Sequence, residues 1–156
     1  MECTSIPSLT VASEIATNRD TRVDDLAELT KFAKRYAKAW CSQNAESVAV
    51  FFAERGSISI NNGPSAVGRA AIAKEAHAFM TTFPDMAVTF DKLEPRGDRT
   101  AFHWTLIGTN TGPGGSGNRI RISGYELWKI DHEGLIEESK GHFDAADYAR
   151  QLKGTN

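Results

Sequence analysis

Apolar residues recur at helical spacing over residues 24–43, where Leu26, Leu29, Phe32, Ala33, Tyr36, Ala37 and Trp40 fall on one stripe. Asp25 followed by Glu28 reads as a capping-box-like start. Asn44 can cap a second helix over AESVAVFFAER, which Gly56 would end. SISIN alternates as a strand before the Asn-Gly-Pro turn at 62–64. The stretch after Gly68 is helical again, with Ile72, Ala76, Phe79, Met80 and Phe83 on one face and Pro84 as its stop. From there the period falls to two. MAVTFDKLEP, TAFHWTLIGTNT, RIRISGYELWKID and LIEESKGHF are four strand-like runs, separated by RGDR, GPGGSGN and HEG and followed by a last helix. Helices first and consecutive strands afterwards predict an α+β fold with a curved, mainly antiparallel sheet. Helices on its concave side would leave a pocket.

The chain is 156 residues long, which suits one domain and one core. The expected division is a tail over 1–22 and a single domain over 23–153. A net charge of −2 gives no general electrostatic reason to bind nucleic acid or acidic membrane. No apolar run reaches the length of a membrane span, and the first residues lack the pattern of a secretory signal. Cys3 and Cys41 make no CxxC pair or disulfide framework, which fits a cytoplasmic location. With four scattered histidines the sequence calls for no metal, and neither the Gly-rich loop at 112–118 nor HEGLI carries the residues of a phosphate loop or a zinc helix. No cofactor is expected.

The closing stretch EESKGHFDAADYARQL holds the first candidate chemistry. Glu138, Lys140, His142 and Asp144 share one side of a strand drawn through them. That side is either a solvated face or the wall of a pocket that needs an acid or base. Asp144 also stands where the N-cap of the last helix is expected, and capping and chemistry are compatible roles. His103 becomes a second pocket group if the concave side of its strand takes it rather than Trp104. Glu126 and Trp128 share a face of the next strand, where a half-buried carboxylate is a further candidate and a salt bridge the alternative.

These pieces in this order resemble the SnoaL-like polyketide cyclases of the nuclear transport factor 2-like superfamily. The residues that carry the likeness are YAKAWCSQN, FFAERGSISIN, GRAAI, FPDMAV, HWTLIGTNTG, SGNRIRISGYELWKID and the closing FDAADYARQL. The resemblance spans roughly 24–153. It implies a cone-shaped α+β barrel with a deep, mostly apolar pocket, and a homodimer formed through the outer sheet face. It also implies that the aspartate before the closing Gln-Leu pair, Asp144 here, serves as acid/base. Beside it, His142 could tune the aspartate or polarise a carbonyl and His103 would be a second polar pocket group, with Tyr36, Trp40, Trp128, Glu126 and Lys140 lining the substrate pocket. Two positions depart from the family pattern. Lys140 replaces its usual tryptophan, and Asn110 the histidine of its Gly-Thr-His.

The expected activity is cofactor-independent proton abstraction next to a carbonyl, as in aldol ring closure or isomerisation of a small apolar or carbonyl-containing molecule. The alternatives are a non-catalytic pocket protein that binds an apolar metabolite and a protein-interaction module of the same fold.

Overall fold

The computed structural model describes residues 21–154. The expectations for the tail and for Cys3 therefore lie outside the described residues. The first helix, α1 (Thr21–Cys41), buries Phe32, Ala33, Tyr36, Ala37 and Trp40 of the stripe expected from its period, whereas Leu29 is half-buried and Leu26 exposed. It begins before Asp25, so that residue lies within the helix rather than at its cap. Asn44 caps α2 (Ala45–Ala49) by accepting from the Ser47 amide. This helix is much shorter than expected. Phe52 already belongs to β1 (Phe52–Ile60), whose register shifts between Phe52 and Ser57. Gly56 sits in that irregularity, and a Cβ there would lie 2.7 Å from the Ile136 carbonyl oxygen. The glycine thus serves close strand approach instead of a helix end.

A two-residue strand, β2 (Ala66–Val67), precedes α3 (Arg69–Thr82), which ends at Phe83 before Pro84. The four expected strands follow as β3 (Ala87–Arg96), β4 (Arg99–Thr109), β5 (Arg119–Ile130) and β6 (Ile136–Phe143), and α4 (Ala145–Lys153) closes the domain. The sheet has six strands in the order β2-β1-β6-β5-β4-β3. All pairings are antiparallel except β1 with β6, so the sheet is mixed, and it is not closed. The expectation of an α+β fold with a curved, mainly antiparallel sheet holds, and the sheet is not closed.

Register decides which side chains meet the helices. On β4, Phe102, Trp104 and Leu106 are buried, and on β5 so are Ile120, Ile122, Glu126 and Trp128. Cross-strand pairing puts Ser139, Gly141 and Phe143 of β6 on the same face. Two glycines shape this inner face. Gly124 lies opposite both Trp104 and Phe143, and a Cβ there would come within 2.7 Å of the Trp104 ring. Gly141 lies opposite Glu126. Each removes a side chain where a larger neighbour or open space is required.

Candidate functional site

Glu126 is the centre of the inner face. It is 8% exposed, and its Oε1 accepts three hydrogen bonds. Tyr36 Oη donates at 2.8 Å, Ser139 Oγ at 2.8 Å and Trp128 Nε1 at 3.0 Å. The donors come from α1, β6 and β5, so the arrangement exists only once these three elements pack together. Oε2 makes no hydrogen bond among the described residues. Burial pushes the Glu126 carboxyl above its ordinary range, against the three hydrogen bonds that favour the ionised form. Burial, followed by the nearby Glu126 charge, raises the Tyr36 phenol well above its usual value, so Tyr36 remains a neutral donor.

Beside Glu126 lies a cavity of about 60 Å³, lined by Trp40, Ile58, Ile60, Phe79, Trp104, Ile122, Gly141 and Phe143 as well as the carboxylate. Apart from Glu126, its walls are aliphatic and aromatic side chains and Gly141. Trp40 and Trp104 are 8% and 9% exposed with buried Nε1 groups, and the Trp40 indole lies beside the Tyr36 phenol, where it opposes part of the upward shift that burial and Glu126 cause. A wider groove of about 540 Å³ lies at the far end of α1, among Glu28, Arg35, Asp98, Asp131 and His132. Those polar groups lie at the surface, whereas the small cavity lies beside a buried carboxylate.

Several expected site residues lie elsewhere. Pairing across β4, β5 and β6 sets His103, Tyr125 and His142 side by side on the outer face. Tyr125 stacks at a tilt between the two imidazoles, 5.6 Å and 5.0 Å away. His103 Nε2 is 2.9 Å from Glu94, and the Arg96 guanidinium covers the Tyr125 ring. Neither His103 nor His142 is among the residues that line the cavity beside Glu126. Trp104 takes the concave side, since a large apolar ring gains more from burial than an imidazole does. Lys140 is exposed on the outer face, opposite Leu127 rather than beside the cavity. Glu138 pairs with Arg99 there, and that hydrogen bond holds its carboxyl below the usual range.

Asp144 is exposed and caps α4, with Oδ1 accepting from the Asp147 amide at 3.0 Å. It is not among the residues that line the cavity. The closing Gln-Leu pair has a structural role: Gln151 accepts from the Arg121 amide at 2.7 Å and donates to its carbonyl at 3.1 Å, clamping α4 to β5. Asn110 braces the glycine-rich loop, with its carbonyl accepting from Gly117 and its amide donating to Ser116.

Tyr36, Trp40, Glu126 and Trp128 are therefore the expected residues that the fold gathers. Sequence reasoning did not single out Ser139, Trp104 or Gly141. The strand-interior glycines at 124 and 141 were the available signal, because such positions mark close approach or open space. Among the described residues, no group of three or more His, Cys, Asp or Glu could hold a metal ion. No helix there is long and apolar enough to cross a membrane.

The arrangement defines a class: helices over one face of an open mixed sheet, with a small apolar cavity at a buried carboxylate. The model of the SnoaL-like polyketide cyclases matches residues 30–152, and the chain belongs to that family. Solved structures share the fold. A phenazine biosynthesis-related protein from Pseudomonas aeruginosa superposes with a TM-score of 0.72 at 15% identity, over 91% of each chain. A hypothetical protein with a ketosteroid isomerase-like fold from Catenulispora acidiphila DSM 44928, in complex with trimethylamine, gives 0.69 at 17% identity, over 78% of this chain and 92% of that one. A nuclear transport factor 2-like protein of unknown function from Exiguobacterium sp. 255-15 gives 0.61 at 16% identity, over 70% and 95%. No curated protein matches the chain.

Proposed function

We propose that this chain catalyses proton transfer next to a carbonyl in a small molecule held in the cavity, with Glu126 as the acid/base. The observation that carries this reading is the asymmetry of the Glu126 carboxylate. Oε1 is held by three donors, and Oε2 is left without a hydrogen bond on a residue that lines the cavity. A carboxylate raised by burial is a stronger base than one in water, and fixed donors on its other oxygen orient it.

The chemistry balances with no redox partner. Oε2 takes a proton from the carbon next to the carbonyl, and the released electron pair forms an enolate. In isomerisation the new carboxylic acid returns the proton to a different carbon. In ring closure the enolate carbon attacks a second carbonyl carbon, and the acid protonates the resulting alkoxide. Family membership supports this class of reaction. The acid/base role that the resemblance attached to Asp144 passes to Glu126 in this reading, because the exposed Asp144 is engaged as a helix cap.

Deuterium uptake at the α-carbons of cyclopentanone in D₂O tests the assignment. The wild-type protein should accelerate exchange over buffer, Glu126→Gln should lose about 10²–10⁴-fold of that acceleration, and Asp144→Asn should keep it. Unchanged exchange in Glu126→Gln would remove Glu126 from the role. A second reading, a non-catalytic pocket for an apolar metabolite, draws on the wall of Ile58, Ile60, Phe79, Ile122 and Phe143. It predicts ketone binding without exchange.

A further inference from the structure

The hydrogen bonds on Glu126 all fall on one oxygen, and that decides where the carboxyl carries a proton. A carboxylate oxygen has two lone pairs. Oε1 already accepts from Tyr36, Ser139 and Trp128, whereas Oε2 accepts from nothing among the described residues. A proton on Oε1 has to displace a donor. A proton on Oε2 displaces none.

The donors differ in what they can do once Glu126 is neutral. A hydroxyl both donates and accepts, and its hydrogen rotates to suit. Tyr36 and Ser139 can therefore reverse and receive a proton from Oε1. An indole N–H only donates, so Trp128 cannot reverse. Nor can its ring turn away. It is fully buried, stacks on Phe102 at 4.8 Å, and meets Phe32 and Tyr36 edge-on at 5.6 Å and 5.2 Å. Trp128 stands two residues beyond Glu126 on the inner face of β5, directly across from Ser139 of β6. One strand thus carries both the carboxylate and the fixed donor that occupies one of its oxygens.

We propose that Trp128 is a positioning residue that keeps the Glu126 proton on Oε2. Its fixed N–H makes Oε1 the carbonyl oxygen of the neutral acid, so every proton that Glu126 takes or gives passes through Oε2. This rests on the reading that Glu126 is the acid/base. Within that reading the oxygen that removes a proton from carbon is the one that returns it, and no proton is held back in the core against Ser139 or Tyr36.

The carbonyl stretch of protonated Glu126 tests the assignment. It is isolated as the infrared difference between the wild-type full chain and Glu126→Gln, at a pH low enough to protonate Glu126. The wild type should show one band, lowered in frequency by the donors on the carbonyl oxygen. Ser139→Ala should also show one band, slightly raised, because Trp128 still holds Oε1. Trp128→Phe should add a second band at the high frequency of an unbonded carbonyl, from molecules that carry the proton on Oε1. Because those molecules withhold their proton, Trp128→Phe should lower kcat for α-proton exchange about two- to tenfold, the range expected for one hydrogen bond. KM for cyclopentanone should change little.

A high-frequency band in the wild type overturns the proposal, and so does a single low band in Trp128→Phe. If Trp128→Phe does not fold, the wild-type band and the Trp128 indole ¹⁵N–¹H signal decide. That signal should keep the position of a bonded donor while Glu126 takes up its proton. A move to the position of an unbonded indole means that Oε1 has taken the proton. Glu126→Gln separates this inference from the reading beneath it. Exchange that survives in that variant rejects the Glu126 base, and the bands still report which oxygen is protonated. Exchange lost there, beside a high-frequency wild-type band, keeps the base and rejects the role of Trp128.

Discussion

Tyr36 and Glu126, 90 positions apart in sequence, meet in the core with Oη donating to Oε1 at 2.8 Å. The tyrosine is fully buried, and the bond joins the first helix to the middle of the sheet. It restrains one carboxylate oxygen, while the other makes no hydrogen bond among the described residues.

Tyr36→Phe tests that restraint. Two donors, Trp128 and Ser139, remain on Oε1, so the carboxylate is not orphaned, and the expected loss of stability is about 1 kcal/mol. Because the lost bond favours the ionised carboxylate, the Glu126 pKa should rise further. Urea unfolding reads the first effect. An alkaline displacement of the pH profile of α-proton exchange reads the second.

Burial also couples Glu126 to the pH dependence of folding. Its folded pKa lies above the ordinary value of 4.5. Between the unfolded and folded values, the native chain holds a proton that the unfolded chain has released, so stability falls as pH rises through that window. Below the unfolded value both states are protonated and no penalty applies. Glu126→Gln removes this titration and keeps an oxygen for the three donors. The melting temperature of the variant should therefore gain on the wild type as pH rises from about 4. A constant difference across pH would show that Glu126 does not titrate with a raised pKa.

Asp144 should behave as a cap. Asp144→Ala removes the acceptor for the Asp147 amide and should cost about 1 kcal/mol, whereas Asp144→Asn should cost far less because asparagine caps as well. Thermal unfolding distinguishes the two variants. A large loss of exchange activity in Asp144→Asn would return the aspartate to the chemistry.

Gly141 offers a way to change the cavity without touching its polar groups. A Cβ there would lie 3.4 Å from the Ser59 carbonyl oxygen and 3.8 Å from Glu126 Cγ, so alanine requires little movement. Gly141→Ala should leave stability unchanged or raise it by about 0.4–1 kcal/mol through the unfolded chain. It should weaken cyclopentanone binding by narrowing the space beside Glu126. Unchanged affinity would put the ligand away from this wall.

The stripe of α1, the Asn44 and Asp144 caps, the Pro84 stop and the four long strands were all legible in the sequence, because each rests on local chemistry within a few residues. The length of α2 was not. VFFAER has the apolar content of a helix, but pairing of β1 with β6 draws Phe52 into the sheet. Asp144 shows the same divide within one residue, since its capping role is local and a role in the pocket depended on where the strand end pointed.

Alternation by itself determined that Glu138, Lys140 and His142 share a side, and that Glu126 shares one with Trp128. It is symmetric about the strand, so it could not say which side faces the helices. Tertiary packing made that choice. Charged groups keep their hydration on the outer face, while Trp104, Gly141 and Phe143 turn inward. Among the described residues the one buried carboxylate is Glu126, where donors from three separate elements compensate its burial. That compensation depends on distant parts of the chain arriving together, and no local pattern encodes it.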